Sequence, residues 1–101
     1  MLVILTTTPT TDEADAIANG LVGARLAACV QILPKMTSIY EWEGNIERSD
    51  EHLLLIKTSG DKYDAVEEYI VKHHSYSTPE VVAIDADKVS SGYLKWLTDY
   101  L

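Results

Sequence analysis

The apolar residues of this chain change phase along its length, and each change marks an element. Residues 2–8 are a short apolar run passing into threonines and stopped by Pro9, a strand of buried type. Thr10 and Glu13 have capping-box spacing: Thr10 at the N-cap, Glu13 able to reach back to it. The helix they open places Ala14, Ile17, Ala18, Leu21 and Val22 on one face. Gly20 and Gly23 weaken it and permit close approach to a sheet. A second strand begins over residues 26–33. Pro34 cannot donate to a ladder, so it marks a bulge or an edge before the strand resumes at Thr37.

The middle of the chain then reads as a long hairpin, residues 27–43 and 46–58 around a Gly44-Asn45 turn. Leu53 through Ile56 are continuously apolar, which predicts a strand covered on both faces. Ser59-Gly60-Asp61 caps a second helix with Tyr63, Val66, Tyr69 and Ile70 inward, and His73-His74-Ser75 ends it. Pro79 forces extended geometry on Thr78, and residues 81–84 form a fourth strand. Ser90-Ser91 opens a short helix carrying Tyr93, Leu94, Trp96, Leu97 and Leu101. The order β-α-β-β-α-β plus a terminal helix predicts an α+β fold, a ferredoxin-like sandwich with two helices on one face of an antiparallel sheet. It forms a single domain over residues 1–101, with no repeats or linkers.

Length sharpens the picture. A strand of about 15 residues spans roughly 50 Å, whereas a domain of about 100 residues is only ~35 Å across. The hairpin overhangs its own core, and an apolar ribbon with bare edges pairs with further copies of the chain. The net charge of -8 disfavours nucleic acid and anionic membranes as partners. The lone Cys29, expected in the core, allows no intrachain disulfide and fits a reducing compartment. The N-terminus lacks a basic n-region, and no apolar run approaches a membrane span. These features predict a cytoplasmic protein.

Candidate chemistry is sparse. His73 and His74 could ligate Zn or Cu, although adjacent imidazoles diverge and a further ligand would come from elsewhere, including another subunit. The alternative is that they cap the helix C-terminus. Tyr40, Glu41, Trp42, Glu43 and Glu47 cluster near the hairpin tip as a pocket wall, or Trp42 acts as an interface anchor. Lys57 either pairs with Glu80 or binds an anionic ligand. Tyr76, Pro79 and Glu80 form a turn in which Glu80 is a buried hydrogen-bonding carboxylate or a cation ligand. There is no Ser-His-Asp order, Cys-x-x-Cys pair or phosphate-cradling glycine loop.

Five segments, in this order, resemble the CutA family of divalent-cation tolerance proteins. They are Arg25-Leu26-Ala27-Ala28-Cys29-Val30, Ser38-Ile39-Tyr40-Glu41-Trp42-Glu43-Gly44-Asn45-Ile46-Glu47, Leu54-Leu55-Ile56-Lys57-Thr58, His74-Ser75-Tyr76-Ser77-Thr78-Pro79-Glu80 and Tyr93-Leu94-Lys95-Trp96. The resemblance implies a ferredoxin-like subunit in a tight homotrimer, similar in architecture to PII signalling proteins. It also implies a link to tolerance of copper and other divalent metals, without established enzymatic activity. In members proposed to bind copper, the implicated histidines fall at His73 and His74, and an implicated first-strand cysteine is Thr6 here. Ser75 stands where the family usually has proline, and Gln31 where asparagine is common.

Three functional readings follow from residues and resemblance together. The first is a non-enzymatic trimer that binds divalent cations at inter-subunit clefts through His73, His74 and Glu80. The second is a sensor whose cleft, lined by Tyr40, Trp42, Lys57 and Tyr76, takes a small anion and signals through a protein partner. The third is a scaffold without ligand.

Overall fold

One strand organises the sheet. In the computed structural model, which describes residues 1–101, β4 (Asn45–Thr58) pairs with three other strands, all antiparallel. Its second half lies between β1 (Leu2–Thr8) and β2 (Cys29–Ile32), and its first half carries β3 (Met36–Trp42). The edge strand β5 (Val82–Asp85) completes the order β2-β4-β1-β5. Helices α1 (Thr11–Gly23) and α2 (Tyr63–His73) cover one face, and α3 (Ser91–Tyr100) ends the chain.

The expected break at Pro34 is a bulge. Ile32 pairs with Leu54 and Met36 with Glu51, so four steps along the β2–β3 strand face three along β4. Because side chains alternate with period two, the extra residue exchanges the faces of everything beyond it. Before the bulge Cys29 and Gln31 share a face with Lys57 and Leu55; after it Ser38, Tyr40 and Trp42 share that face with Ser49, Glu47 and Asn45.

The core lies between the helices and one sheet face. Ile4, Leu54 and Ile56 of the sheet meet Ala14, Ile17 and Leu21 of α1 and Val66 and Ile70 of α2, all essentially inaccessible to solvent. The apolar phase of α1 is as expected, apart from Val22, which is only half-buried. Leu53–Ile56 departs from expectation. Leu54 and Ile56 are buried, but Leu53 and Leu55 are half-exposed, because both helices pack on one side. The register places Val3, Leu5, Leu53, Leu55, Val82 and Ile84 together on the helix-free face. Cys29 belongs to that face too and is half-buried rather than a core residue.

Other departures have local causes. The hairpin turns at Glu43-Gly44, not Gly44-Asn45: Trp42 pairs with Asn45, and Glu43 and Gly44 take φ of 50° and 83°. A two-residue hairpin loop needs both central residues left-handed to match the strand twist, and Asn45 is already the first residue of β4. Only half of the capping box forms. The Glu13 N–H donates to Thr10 Oγ1 at 3.2 Å, while the Glu13 carboxylate turns away to Ser75 N. Gly20 permits close approach to α2 rather than to a sheet, since a Cβ there would overlap the Tyr69 ring; nothing lies near Gly23. The second strand starts at Cys29 because the backbone reverses at Arg25, which has φ 57° after α1. The fourth strand of the reading is shifted by one residue, to β5. In α3 only Leu97 is buried, and Leu94 and Trp96 stay exposed. That helix is held at its end by Arg25, which donates to the Tyr100 carbonyl at 2.7 Å, and by the Tyr100 hydroxyl, which donates to Val22 O at 2.6 Å.

The hairpin does overhang. The chain measures 46 × 25 × 23 Å with a radius of gyration of 14.3 Å, above the ~13 Å typical of its length. Its turn is imperfectly encoded, because glutamate is a poor left-handed residue. Glu43→Asn should raise stability by about 1 kcal/mol, read as a higher denaturation midpoint with unchanged slope. A lower midpoint would show that the Glu43 side chain has a compensating role.

Candidate functional site

The bulge brings the aromatic side of the hairpin over a buried acid. Tyr40 and Trp42, two residues apart on β3, share their face with Ser49 and Glu51 of β4. The Tyr40 hydroxyl pairs with Ser49 Oγ at 2.8 Å, which fixes its ring. Glu51 is only 8% exposed although it carries a carboxylate. The Tyr76 hydroxyl donates to its Oε2 at 3.0 Å from the segment between α2 and β5. Tyr40, Trp42, Glu51, Tyr76, Ser77 and Thr78 together line a cavity of about 600 Å³. Burial pushes the Tyr76 phenol up to about 12, helped by its hydrogen bond to Glu51 and by that residue's charge.

His74 holds the Tyr76 wall in place. Its Nε2 lies 2.7 Å from the Thr7 carbonyl, which can only accept, so Nε2 carries the proton. Nδ1 then accepts the Tyr76 N–H at 3.0 Å. Glu13 Oε2 accepts the Ser75 N–H at 3.2 Å and lies 3.3 Å from the same Nδ1. The end of β1 and the cavity wall are thus tied through one imidazole whose side chain is fully buried, and the first turn of α1 joins them through Ser75 N. The His74 and Tyr76 rings are 4.8 Å apart.

The expected metal residues are not gathered in one chain. Both His74 nitrogens are occupied, so it is not a free ligand as expected. His73 is exposed, stacks on Tyr69 at 4.0 Å and donates Nδ1–H to the Tyr69 carbonyl at 2.8 Å, which leaves Nε2 free. Glu80 is exposed and makes no ion pair, so the buried-carboxylate alternative for it fails. Nowhere do three His, Cys, Asp or Glu side chains converge. Thr6, at the implicated cysteine position, is sealed in the core. These donors do not form a closed metal site within the chain.

Of the expected cleft residues, Tyr40, Trp42 and Tyr76 line the cavity and Lys57 does not. Its ammonium lies 5.4 Å from the Tyr93 ring centre, an aromatic contact in place of an ion pair with Glu80. Glu51, Ser77, Thr78 and the Glu13 link escaped sequence reasoning. Alternation along β4 gives Glu51 its face, but its burial depends on Tyr76, which is 25 residues away.

Two outcomes test this reading of the wall. His74→Ala removes the partners of a buried carbonyl and an amide, so it should cost about 3 kcal/mol in a denaturant titration. A cost below about 1 kcal/mol would show the tie is not structural. An unfolded Tyr76 loses its proton near about pH 10, whereas the folded one keeps it to about 12. Its contribution is whole below about pH 10 and disappears as pH rises through about 12. Alkaline unfolding of wild type should therefore carry a component that Tyr76→Phe lacks; identical curves would contradict it.

Comparison with known proteins agrees with this architecture. Residues 2–100 match the family described as "CutA1 divalent ion tolerance protein". A "Protein CutA homolog" of Xenopus laevis is 44% identical over 93 residues, 92% of this chain and 62% of its own length. The chain spans 53% of an Arabidopsis thaliana "Protein CutA, chloroplastic". The "Divalent-cation tolerance protein CutA" of Thermus thermophilus is 41% identical over 96% of this chain and 94% of its own. A solved CutA1 structure from Oryza sativa superposes with a TM-score of 0.96 at 35% identity, covering 98% of this chain and 91% of that one. With a family match along nearly its whole length and the same fold, this chain belongs to the CutA1 divalent-ion tolerance family.

Proposed function

We propose that this protein serves divalent-cation tolerance as a cytoplasmic homotrimer without catalytic turnover, and that cations bind where subunits meet. The observation that carries this reading is the open apolar sheet face. Val82 is 47% exposed and Ile84 51%, beside the half-exposed Val3, Leu5, Leu53 and Leu55. Continuous apolar surface of this kind is covered by association, and family resemblance gives the number of copies as three. The lone Cys29 supports a reducing compartment.

Support for cation binding comes from the donors left at the surface. His73 offers Nε2, Glu80 offers an unpaired carboxylate, and the chain carries a net charge of -8. A neighbouring copy supplies the remaining ligands. The names of the relatives refer to divalent cations as well. The second reading, a sensor for a small anion that signals through a protein partner, loses its main support because Lys57 lies outside the cavity.

Light scattering on the eluting protein should give the mass of a trimer at micromolar concentration. Ile84→Asp, at a site exposed in the lone chain, should shift that mass toward monomer without unfolding it. Calorimetry with Cu(II) and Zn(II) should show binding that His73→Ala weakens by about tenfold or more. A monodisperse wild-type monomer would overturn the assembly, and cation binding indifferent to His73→Ala would overturn the ligand assignment.

A further inference from the structure

We infer that the cavity under the hairpin is a binding site for an organic ammonium ion with an apolar body, a ligand chemically distinct from the divalent cations proposed above. Four features of the site point the same way. Its one charged lining residue is Glu51, 8% exposed, with Oε2 engaged by the Tyr76 hydroxyl and Oε1 left to accept from an N⁺–H donor. Three aromatic residues, Tyr40, Trp42 and Tyr76, supply the walls, and aromatic faces attract cations while sheltering apolar groups. Ser77 and Thr78 add neutral hydroxyls, and no Lys, Arg or His lines the space. The hairpin register adds the exposed Glu47 to the same face and turns Arg48 to the other.

The same composition discriminates against other ligand classes. An anion would face a buried carboxylate with no compensating positive charge. A bare divalent ion needs several oxygen or nitrogen donors to replace its hydration shell, which rings cannot supply. An alkylammonium is less strongly hydrated, uses a single carboxylate well, and buries its carbon body against the indole and phenol rings. At about 600 Å³ the cavity has room for an amine of small-drug size.

The test compares three probes with the same phenylpropyl body by calorimetry on the assembled wild-type protein: 3-phenylpropylammonium, 3-phenylpropanol and 3-phenylpropionate. The ammonium should bind at least roughly tenfold more tightly than the alcohol, and the carboxylate should not bind. Glu51→Gln keeps an acceptor for the Tyr76 hydroxyl and removes the charge, so it should reduce ammonium affinity to that of the alcohol. Trp42→Leu, at a side chain 63% exposed in the single chain and therefore not part of its core, should weaken both probes together. It also keeps the test decisive if the Glu51 variant does not fold. Equal affinity for the three probes, preference for the carboxylate, or no binding by folded protein would overturn the inference. His73→Ala separates the two proposals: it should weaken metal binding by about tenfold or more and leave ammonium binding intact. Absence of metal binding by the wild type, or absence of its ammonium selectivity, identifies which reading has failed.

Discussion

Parity along one strand is the constraint on which this structure depends. β4 is shared by the core sheet and the hairpin, so its side-chain alternation is continuous from Lys57 to Asn45. The strand opposite it is interrupted by one extra residue at Pro34. Had the same residues paired straight on from Ile32 without a bulge, Thr37 and Ile39 would take the face now held by Tyr40 and Trp42, and Lys35 would stand opposite Glu51. The cavity exists because a residue that cannot donate to a ladder displaced the register by one.

A second dependence runs through His74. A histidine at a helix C-terminus is expected to cap carbonyls or to ligate a metal, and both nitrogens of this one are engaged elsewhere. It crosses to the Thr7 carbonyl and holds the Tyr76 amide, so the cavity wall is anchored to the end of the first strand. Glu13, released from the capping box, completes the tie from the first turn of α1. The N-cap keeps one side-chain bond, and the carboxylate freed by losing the other connects the helix to the site.

Much of this was legible in the sequence where the determinants are local. β1 runs as Pro9 and the threonines dictate, and α1 begins at its Thr10 cap and buries the spaced apolar residues. The break at Pro34 was legible as a break. The face that Tyr40 and Trp42 would take was not, since either parity satisfies a sequence of mixed aromatic and acidic residues. The Gly-Asn pair suggested a turn one residue late, because the left-handed position fell on Glu43, a residue type that does not advertise it. Leu53 and Leu55 read as buried because a continuous apolar run implies cover on both faces, whereas the helices cover one side only. Burial of Glu51 and the use of His74 depend on contacts 25 and 67 residues away in sequence, beyond any periodicity argument.

The helix-free sheet face also sets a condition on how the protein comes into being. A chain just released from synthesis presents six aliphatic side chains beside the unpaired edge of β5, which is a template for any extended polypeptide nearby. In the assembly proposed above, encounters between copies compete with indiscriminate sticking, and dilution slows only the former without hiding the surface. Low expression therefore prolongs the vulnerable interval, while prompt local synthesis of several copies shortens it.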